Sequence, residues 1–315
     1  MDYKKLGLVV ALCLCAIVGG LIYLRDHVIE KTVFIPDITD LTENYLARDE
    51  IAAAMKKLED PDLKAAEVIT PLQDGAPRMA LLFDGLPERP LTARLLDVLA
   101  KHKAQAVFFV EGENAADQPE TIRLIREAGQ EIGNYTYVGL AALEKQPPEM
   151  QLTQICRAQK VATMEDSIAP TLFRAPRTFY SDDLLKAVRA AGLEYAVKEN
   201  VRFQPNTLHT QQEADAYAAT IPKGSIIAIP VGRPVEQKAT DSEVHEETPA
   251  VDMKPTIKED HSAPVPPHED LADELDRLLT ALEAQGNAID FVNQFRKIHF
   301  IPGAIPQPQG GTANG

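Results

Sequence analysis

Short apolar runs alternate with amphipathic segments along most of this chain, and that alternation constrains its fold more than any other feature. Residues 79–83 (MALLF), 106–110 (AVFFV) and 224–231 (GSIIAIPV) are typical of buried strands. Segments such as 89–103, between two of these runs, place several leucines on one helical face. Strands that alternate with helices of this length predict parallel strands joined by crossover helices. We therefore expect an α/β fold, and a closed or partly closed barrel in preference to an open sheet.

The same pattern continues to the last quarter of the chain. It predicts helices within 119–130 and 149–164, short strands at 131–134 and 171–176, and helix-then-strand pairs within 181–198 and 270–292. Cys156 falls in one of these helices, where a buried small apolar residue is the expected role.

The amino terminus contains a membrane-spanning pattern. Residues 6–24 carry no charge and are long enough, as a helix, to cross the roughly 30 Å apolar layer of a bilayer. Lys4 and Lys5 before the run favour a cytoplasmic amino terminus. We expect an uncleaved anchor over residues 1–25, with a cleaved signal peptide as the alternative. Either reading puts the body outside the cytoplasmic membrane.

The remaining boundaries follow from composition. Residues 26–77 are polar and partly helical in pattern, and we interpret them as a stalk or lead-in to a domain over 78–301. Residues 233–268 interrupt that domain with many prolines and acidic residues and with neither leucine nor an aromatic residue, which predicts a disordered insertion. The tail over 302–315 is rich in Pro and Gly and is expected to be flexible.

Charge and cysteine content exclude some functions. The formal net charge is −15, from 47 acidic and 32 basic residues, so a nucleic-acid partner is not expected. Of three cysteines, two lie in the apolar amino-terminal run, which leaves no basis for a disulfide framework or a cysteine-based zinc site.

Five short segments follow the predicted strands in a characteristic order. They are LFDGLP (82–87), GNYTYVG (133–139), FRAP (173–176), KENVR (198–202) and IIAIP (226–230). In order and spacing they resemble the motifs of the polysaccharide deacetylase family, also called the NodB homology domain. The resemblance implies a distorted (β/α) barrel of seven or eight strands. It also implies hydrolysis of acetyl groups on glycans at a divalent metal, often zinc, held by one Asp and two His, with a second Asp as general base and a further His as general acid.

Several residues depart from the family's motifs. The resemblance aligns Asp84 with the general base and Arg174 with the arginine beside it. The three metal positions are Gly85, Tyr135 and Gly139, which do not supply the usual ligands. Pro230 stands in place of the acid, and proline cannot donate a proton. We therefore expect no metal cofactor and a catalytically inactive relative, in which Asp84 and Arg174 are remnants and Arg174 forms a structural salt bridge.

The resemblance also suggests a role. Tyr135, Tyr137, Phe179 and Tyr180 align with loops that line the family's substrate groove, so they are candidates for stacking on sugar rings or for filling the space of the metal. The expected partners are a glycan or an envelope protein, with the membrane contacted through residues 6–24. The alternative is an active carbohydrate deacetylase or esterase with a rearranged site around Asp84 and Arg174, helped by Glu111 or Glu199. A third possibility is a structural protein that recruits partners through its insertion.

Overall fold

The structure is a computed structural model, and it describes residues 43–164, 167–232 and 271–296. Every strand pairing in it is parallel, and nine strands form one sheet. The strands are β1 (Glu67–Ile69), β2 (Arg78–Asp84), β3 (Ala106–Val110), β4 (Glu131–Asn134), β5 (Leu172–Phe173), β6 (Tyr195–Val197), β7 (Val201–Arg202), β8 (Ile226–Pro230) and β9 (Ala288–Ile289).

Helices connect and cover these strands. The α-helices are α1 (Arg48–Leu58), α2 (Arg89–Lys101), α3 (Gly112–Asp117), α4 (Pro119–Glu127), α5 (Pro148–Met164), α6 (Asp182–Ala190), α7 (Gln211–Ala218) and α8 (Leu271–Ala284). Short 3-10 turns lie at Glu43–Leu46, Leu143–Lys145 and Val292–Phe295. The predicted alternation of strand and helix is therefore present from β2 to β9, except that β7 follows β6 with no helix between them.

The sheet curls into a half-barrel. Its strand order is β1-β6-β5-β4-β3-β2-β8-β7, with β9 paired to the start of β2. Ile69 on β1 and Ile226 on β8 belong to one buried cluster although they lie near opposite ends of this order. The N–H of Leu72, just after β1, donates to the carbonyl of Gly224, just before β8, at 2.9 Å. The two ends of the sheet therefore approach each other, and the partly closed form of the expected barrel is the one observed.

Strand alternation sorts the apolar side chains into two layers. On β2, Ala80 and Leu82 face the inside of the half-barrel with residues such as Val107 and Phe109 of β3. Phe83 and Phe108 occupy the alternate positions on β2 and β3, where their rings stack at 4.4 Å. Residues 292–295 pack against the inner layer through Val292 and Phe295.

The lead-in before residue 78 belongs to the folded body from Ala47 onward, which differs from the stalk that we predicted. Helix α1 packs Ala54 against Cys156 of α5 and Ala187 of α6, and β1 adds a strand beside β6. The apolar face of α1 is built largely from alanines, which gave a weak sequence signal. Burial raises the pKa of the Cys156 thiol to about 12, in keeping with a packing role.

Three predictions fall on residues outside the described ranges: the membrane span at 6–24, the insertion at 233–268 and the tail at 302–315. Within residues 43–164, 167–232 and 271–296, no helix has the length and apolar character needed to cross a membrane.

Candidate functional site

Polar or unusual residues terminate the inward-facing rows of the half-barrel at its carboxyl-terminal rim. Each stands two positions beyond an inward-facing residue, and side chains in a strand alternate between the two faces, so all of them point toward the same opening. These rim residues are Asp84 at the end of β2, Glu111 after β3, Tyr135 after β4, Arg174 after β5, Glu199 after β6 and Pro230 at the end of β8.

A buried bidentate ion pair lies at the centre of the rim. The guanidinium of Arg174 donates from Nε to Asp84 Oδ1 at 2.7 Å and from Nη2 to Asp84 Oδ2 at 3.1 Å. The two side chains are only 5% and 2% exposed. The backbone N–H of Arg174 donates to the carbonyl of Asn134, which fixes its position beside β4. The structural salt bridge expected for Arg174 is thus present, and it engages both oxygens of Asp84.

Two residues extend this pair toward solvent. Arg174 Nη1 donates to Glu199 Oε2 at 2.5 Å, and Arg202 Nη1 lies 3.6 Å from Asp84 Oδ2 and 3.9 Å from Glu199 Oε1. Burial alone would lower the pKa of Arg174, but the Asp84 charge and the Glu199 hydrogen bond hold it above its ordinary value. Burial alone would raise the pKa of Glu199, but Arg174 outweighs it and the pKa is lowered. Two carboxylates and two guanidiniums therefore balance in one network.

Glu111 lies beside Gly85, the position that aligns with the family's metal-binding Asp. Gly85 has φ of +100°, and a Cβ built on it would lie 3.2 Å from Glu111 Oε1 and 3.1 Å from the backbone of Gly232. Glu111 Oε2 accepts the N–H of Leu86 at 3.0 Å, which holds the loop after β2. The neighbouring strand thus directs a carboxylate toward the volume that an Asp side chain at position 85 would enter.

The loop after β4 keeps the residues that hold its shape. A Cβ on Gly133 would lie 2.5 Å from the Phe109 ring, so only glycine fits there. Asn134 accepts the N–H of Thr136 through Oδ1 at 2.9 Å and donates from Nδ2 to the Ile155 carbonyl at 2.9 Å. Thr136 has φ of +67°, an uncommon conformation for a β-branched residue. The segment has therefore retained the frame of the family's second motif while its two aligned metal positions hold Tyr135 and Gly139.

Tyr135 and Tyr137 face the interior, which corrects their proposed role in sugar stacking. Tyr135 is 3% exposed and lies in the inner cluster, and burial followed by the charge of Asp84 raises its pKa well above the ordinary range. Tyr137 is fully buried, with the Arg157 guanidinium 3.6 Å from its ring centre. The alternative that we weighed for them, filling the space of the metal site, fits their burial.

The other two aromatic candidates differ from each other. Tyr180 is partly buried and donates its hydroxyl to the Val197 carbonyl at 3.0 Å, while burial raises its pKa to about 12. Phe179 is 71% exposed, which leaves its ring accessible to a ligand.

The residues at the aligned metal positions do not fit a zinc site. Glycine at positions 85 and 139 offers no side-chain ligand, and Tyr135 carries a neutral phenol. In the described ranges no three side chains of His, Cys, Asp or Glu come together as metal ligands. His102 contacts Asp276 and Glu283 between α2 and α8, and His209 is exposed, so neither belongs to the rim. Pro230 lies directly opposite Asp84 in the β2–β8 register and has no proton to give.

Comparison with known proteins decides the family. Residues 72–196 match the family model "Polysaccharide deacetylase". A chitooligosaccharide deacetylase of Sinorhizobium fredii is 35% identical over 182 residues, which cover 56% of this chain and 82% of that protein. The chain belongs to the polysaccharide deacetylase family.

Solved structures of other polysaccharide deacetylase relatives have the same fold as this chain. The Bacillus subtilis PdaA, a family 4 carbohydrate esterase, matches with a TM-score of 0.54 at 19% identity, covering 78% of this chain and 88% of that one. A family 4 pseudoenzyme from Bacillus anthracis matches with a TM-score of 0.55 at 16% identity, covering 78% and 80%. The curled parallel half-barrel is therefore the family's fold.

Sequence reasoning placed Asp84, Tyr135 and Arg174 together correctly but did not find every rim residue. Arg202 lies in the KENVR segment, but its approach to Asp84 has no sequence signal, because β7 is only two residues long. In the sequence, Glu111 and Glu199 are candidates only for the alternative mechanism. Their period-two spacing from Phe109 and Val197 is the signal that would have placed both of them at the rim.

Proposed function

We propose that this protein is an extracytoplasmic, catalytically inactive deacetylase relative that binds acetylated glycan at the rim of its half-barrel. The observation that carries the proposal is the residue chemistry at positions 85, 135 and 139, where two glycines and a buried neutral phenol supply no ligand set for a metal. The Asp84–Arg174 pair, which the family's motifs also place side by side, is retained without those ligands. The proposal includes no bound zinc at these positions.

The pseudoenzyme interpretation has a parallel in the same fold. The Bacillus anthracis protein is itself described as a pseudoenzyme, and a mutant of it as having restored enzymatic activity. The chitooligosaccharide and peptidoglycan deacetylases among the relatives suggest β-linked N-acetylglucosamine polymers as the ligand class. An exposed aromatic ring at the rim, Phe179, is the side chain best placed to stack on such a sugar.

Calorimetric titration with an N-acetylated chitooligosaccharide tests glycan binding. We expect Phe179→Ala to weaken binding about threefold to tenfold, since an aromatic contact contributes about 0.5–1.5 kcal/mol. Ile168→Ala is the matched control, because Ile168 is also an exposed large apolar residue but precedes β5, at the opposite end of that strand from the rim. No binding by the unmodified protein, or equal losses in both variants, would contradict the proposal.

A second candidate function is an active esterase or deacetylase with a rearranged site. The position of the Glu111 carboxylate beside Gly85 favours it, because Glu111 adds a third carboxylate to Asp84 and Glu199 at the rim. Turnover of an acetylated chromogenic ester that is abolished by both Asp84→Asn and Glu111→Gln would establish this function in place of the first.

We also propose that residues 6–24 anchor the protein in the cell membrane, with the body outside the cytoplasm. The uncharged apolar run and the preceding lysines support this topology. Protease added to intact spheroplasts should digest the body and leave a short amino-terminal fragment in the membrane. A body protected until the membrane is opened would place it in the cytoplasm instead.

A further inference from the structure

Arg202 is the most exposed member of the ionic network at the rim. Its side chain is 54% exposed, against 26% for Glu199, 5% for Arg174 and 2% for Asp84. Glu111, the other carboxylate of the rim, is fully buried. A ligand that approaches the network from solvent therefore meets a guanidinium before it meets a carboxylate.

The two ion-pair contacts of Arg202 do not occupy its N–H groups. Its Nη1 lies 3.6 Å from Asp84 Oδ2 and 3.9 Å from Glu199 Oε1, and both distances exceed the roughly 3.2 Å limit of an N–H···O hydrogen bond. These carboxylates accept instead from Arg174, which bonds both oxygens of Asp84 and one oxygen of Glu199. Ionic attraction therefore holds Arg202 at the rim while its donors stay available to a ligand.

The backbone of Arg202 is fixed on both sides. Arg202 stands opposite Ala228 in the β7–β8 register, and the N–H of Phe203 donates to the Ala228 carbonyl at 2.9 Å. Farther along, the Glu274 carboxylate of α8 accepts the consecutive N–H groups of residues 206–208 at 2.6–2.8 Å. The backbone that carries the guanidinium is thus set before a ligand binds, which lowers the entropy cost of binding.

The exposed ring of Phe179 is tied to the same network. The hydroxyl of the neighbouring Tyr180 donates to the Val197 carbonyl at 3.0 Å, and Arg174 Nη1 donates to that carbonyl at 3.2 Å. The loop that carries Phe179 is therefore fastened to the side chains that Arg202 contacts. An aromatic face and a cationic hydrogen-bond donor adjoin one network, the combination that suits a sugar ring with a polar substituent.

We propose that Arg202 is a specificity-determining residue, which recognises the acetamido carbonyl of a bound glycan. This inference rests on the glycan-binding function proposed above. A guanidinium only donates hydrogen bonds, so it pairs with a carbonyl oxygen, which only accepts them. A deacetylated sugar with a protonated amine presents an ammonium instead, a second donor cation that Arg202 repels. The protein therefore prefers acetylated to deacetylated glycan.

Calorimetric titration of the full chain with two probes tests this preference. The probes are fully N-acetylated chitotetraose and fully deacetylated chitotetraose, at a mildly acidic pH where the free amine is protonated. We expect tighter binding of the acetylated tetramer, and we expect Arg202→Met to weaken that binding about tenfold, because it removes a hydrogen bond to a charged group. Binding of the deacetylated tetramer should stay equal or tighten, because a repulsion is removed. Arg177→Met is the matched control, since Arg177 is also an exposed arginine at the rim but lies outside the network.

The outcomes separate this inference from the function on which it rests. An unchanged preference in Arg202→Met, or equal losses for both tetramers, would overturn the role of Arg202 and leave glycan binding in place. An equal loss of preference in Arg177→Met would also overturn it, because the selectivity would then belong to the charge of the rim in general. No binding of either tetramer by the unmodified protein would overturn the proposed function together with this inference.

Discussion

Arg174 dominates the rim at the scale of single residues, because it satisfies two carboxylates from one buried guanidinium. Removing the Arg174 side chain leaves the Asp84 carboxylate buried, with the half-exposed Arg202 guanidinium 3.6 Å away as its remaining ion-pair partner. We expect Arg174→Met to lower the free energy of unfolding by about 3–5 kcal/mol, the usual effect of breaking a buried pair. Urea unfolding measures it, with Arg202→Met as the matched control, since the half-exposed Arg202 should cost under about 1 kcal/mol. Comparable losses in both variants would mean that the network does not depend on the buried pair.

Gly85 and Glu111 form the second residue pair with a testable consequence. Gly85→Asp introduces a side chain at φ +100° against Glu111 and Gly232, so we expect it to destabilise the fold by about 1–3 kcal/mol. Part of that loss should return with Glu111→Ala, because the second change removes the facing carboxylate. A double-mutant cycle in urea measures the coupling. Strict additivity of the two changes would show that Glu111 does not occupy the space of the missing Asp.

At the scale of secondary-structure elements, an ion pair joins the segment between β6 and β7 to the end of β5. Glu199 lies in this link and contacts Arg174 from β5, and its pKa is lowered in the folded state. A lowered folded pKa adds stability above the unfolded value, near pH 4.5, and that stability is lost as the pH falls through the folded pKa. We expect the unmodified protein to lose more unfolding free energy than Glu199→Gln between pH 5 and about pH 3. Parallel pH profiles for the two chains would contradict the assigned shift.

Elements with strong apolar periodicity could be predicted, and those without it could not. β2, β3 and β8 each carry an apolar run that bears the signal by itself, and the amphipathic pattern of α2 placed that helix. β1 and β7 have three and two residues and follow no clear amphipathic helix pattern, so the sequence predicts neither of them, whereas the equally short β9 follows the predicted helix within 270–292. Helix α7 was missed although Thr210 and Glu213 form a capping box at its start, a local signal that was available. The rim contacts of Arg202 and Glu111 depend on strand order, which one sequence does not specify.

At the scale of the whole molecule, the composition of residues 233–268 predicts whether they contribute to stability. Its many prolines and acidic residues, with no leucine or aromatic residue, predict little packing against the body. We expect replacement of these residues by a short Gly/Ser linker to change the melting temperature by less than about 5 °C. Differential scanning calorimetry of the two chains measures this, and a larger fall would show that the segment packs on the half-barrel.

We propose that the protein does not deacetylate glycans, because Gly85, Tyr135 and Gly139 supply no ligand set for a metal at the rim. The direct measurement is acetate released from an N-acetylated chitooligosaccharide, followed by proton NMR with and without added zinc. An active family member, assayed in the same way, confirms that the conditions support turnover. We expect no acetate above the protein-free background in either condition. Zinc-dependent acetate release that is lost in Asp84→Asn would contradict it.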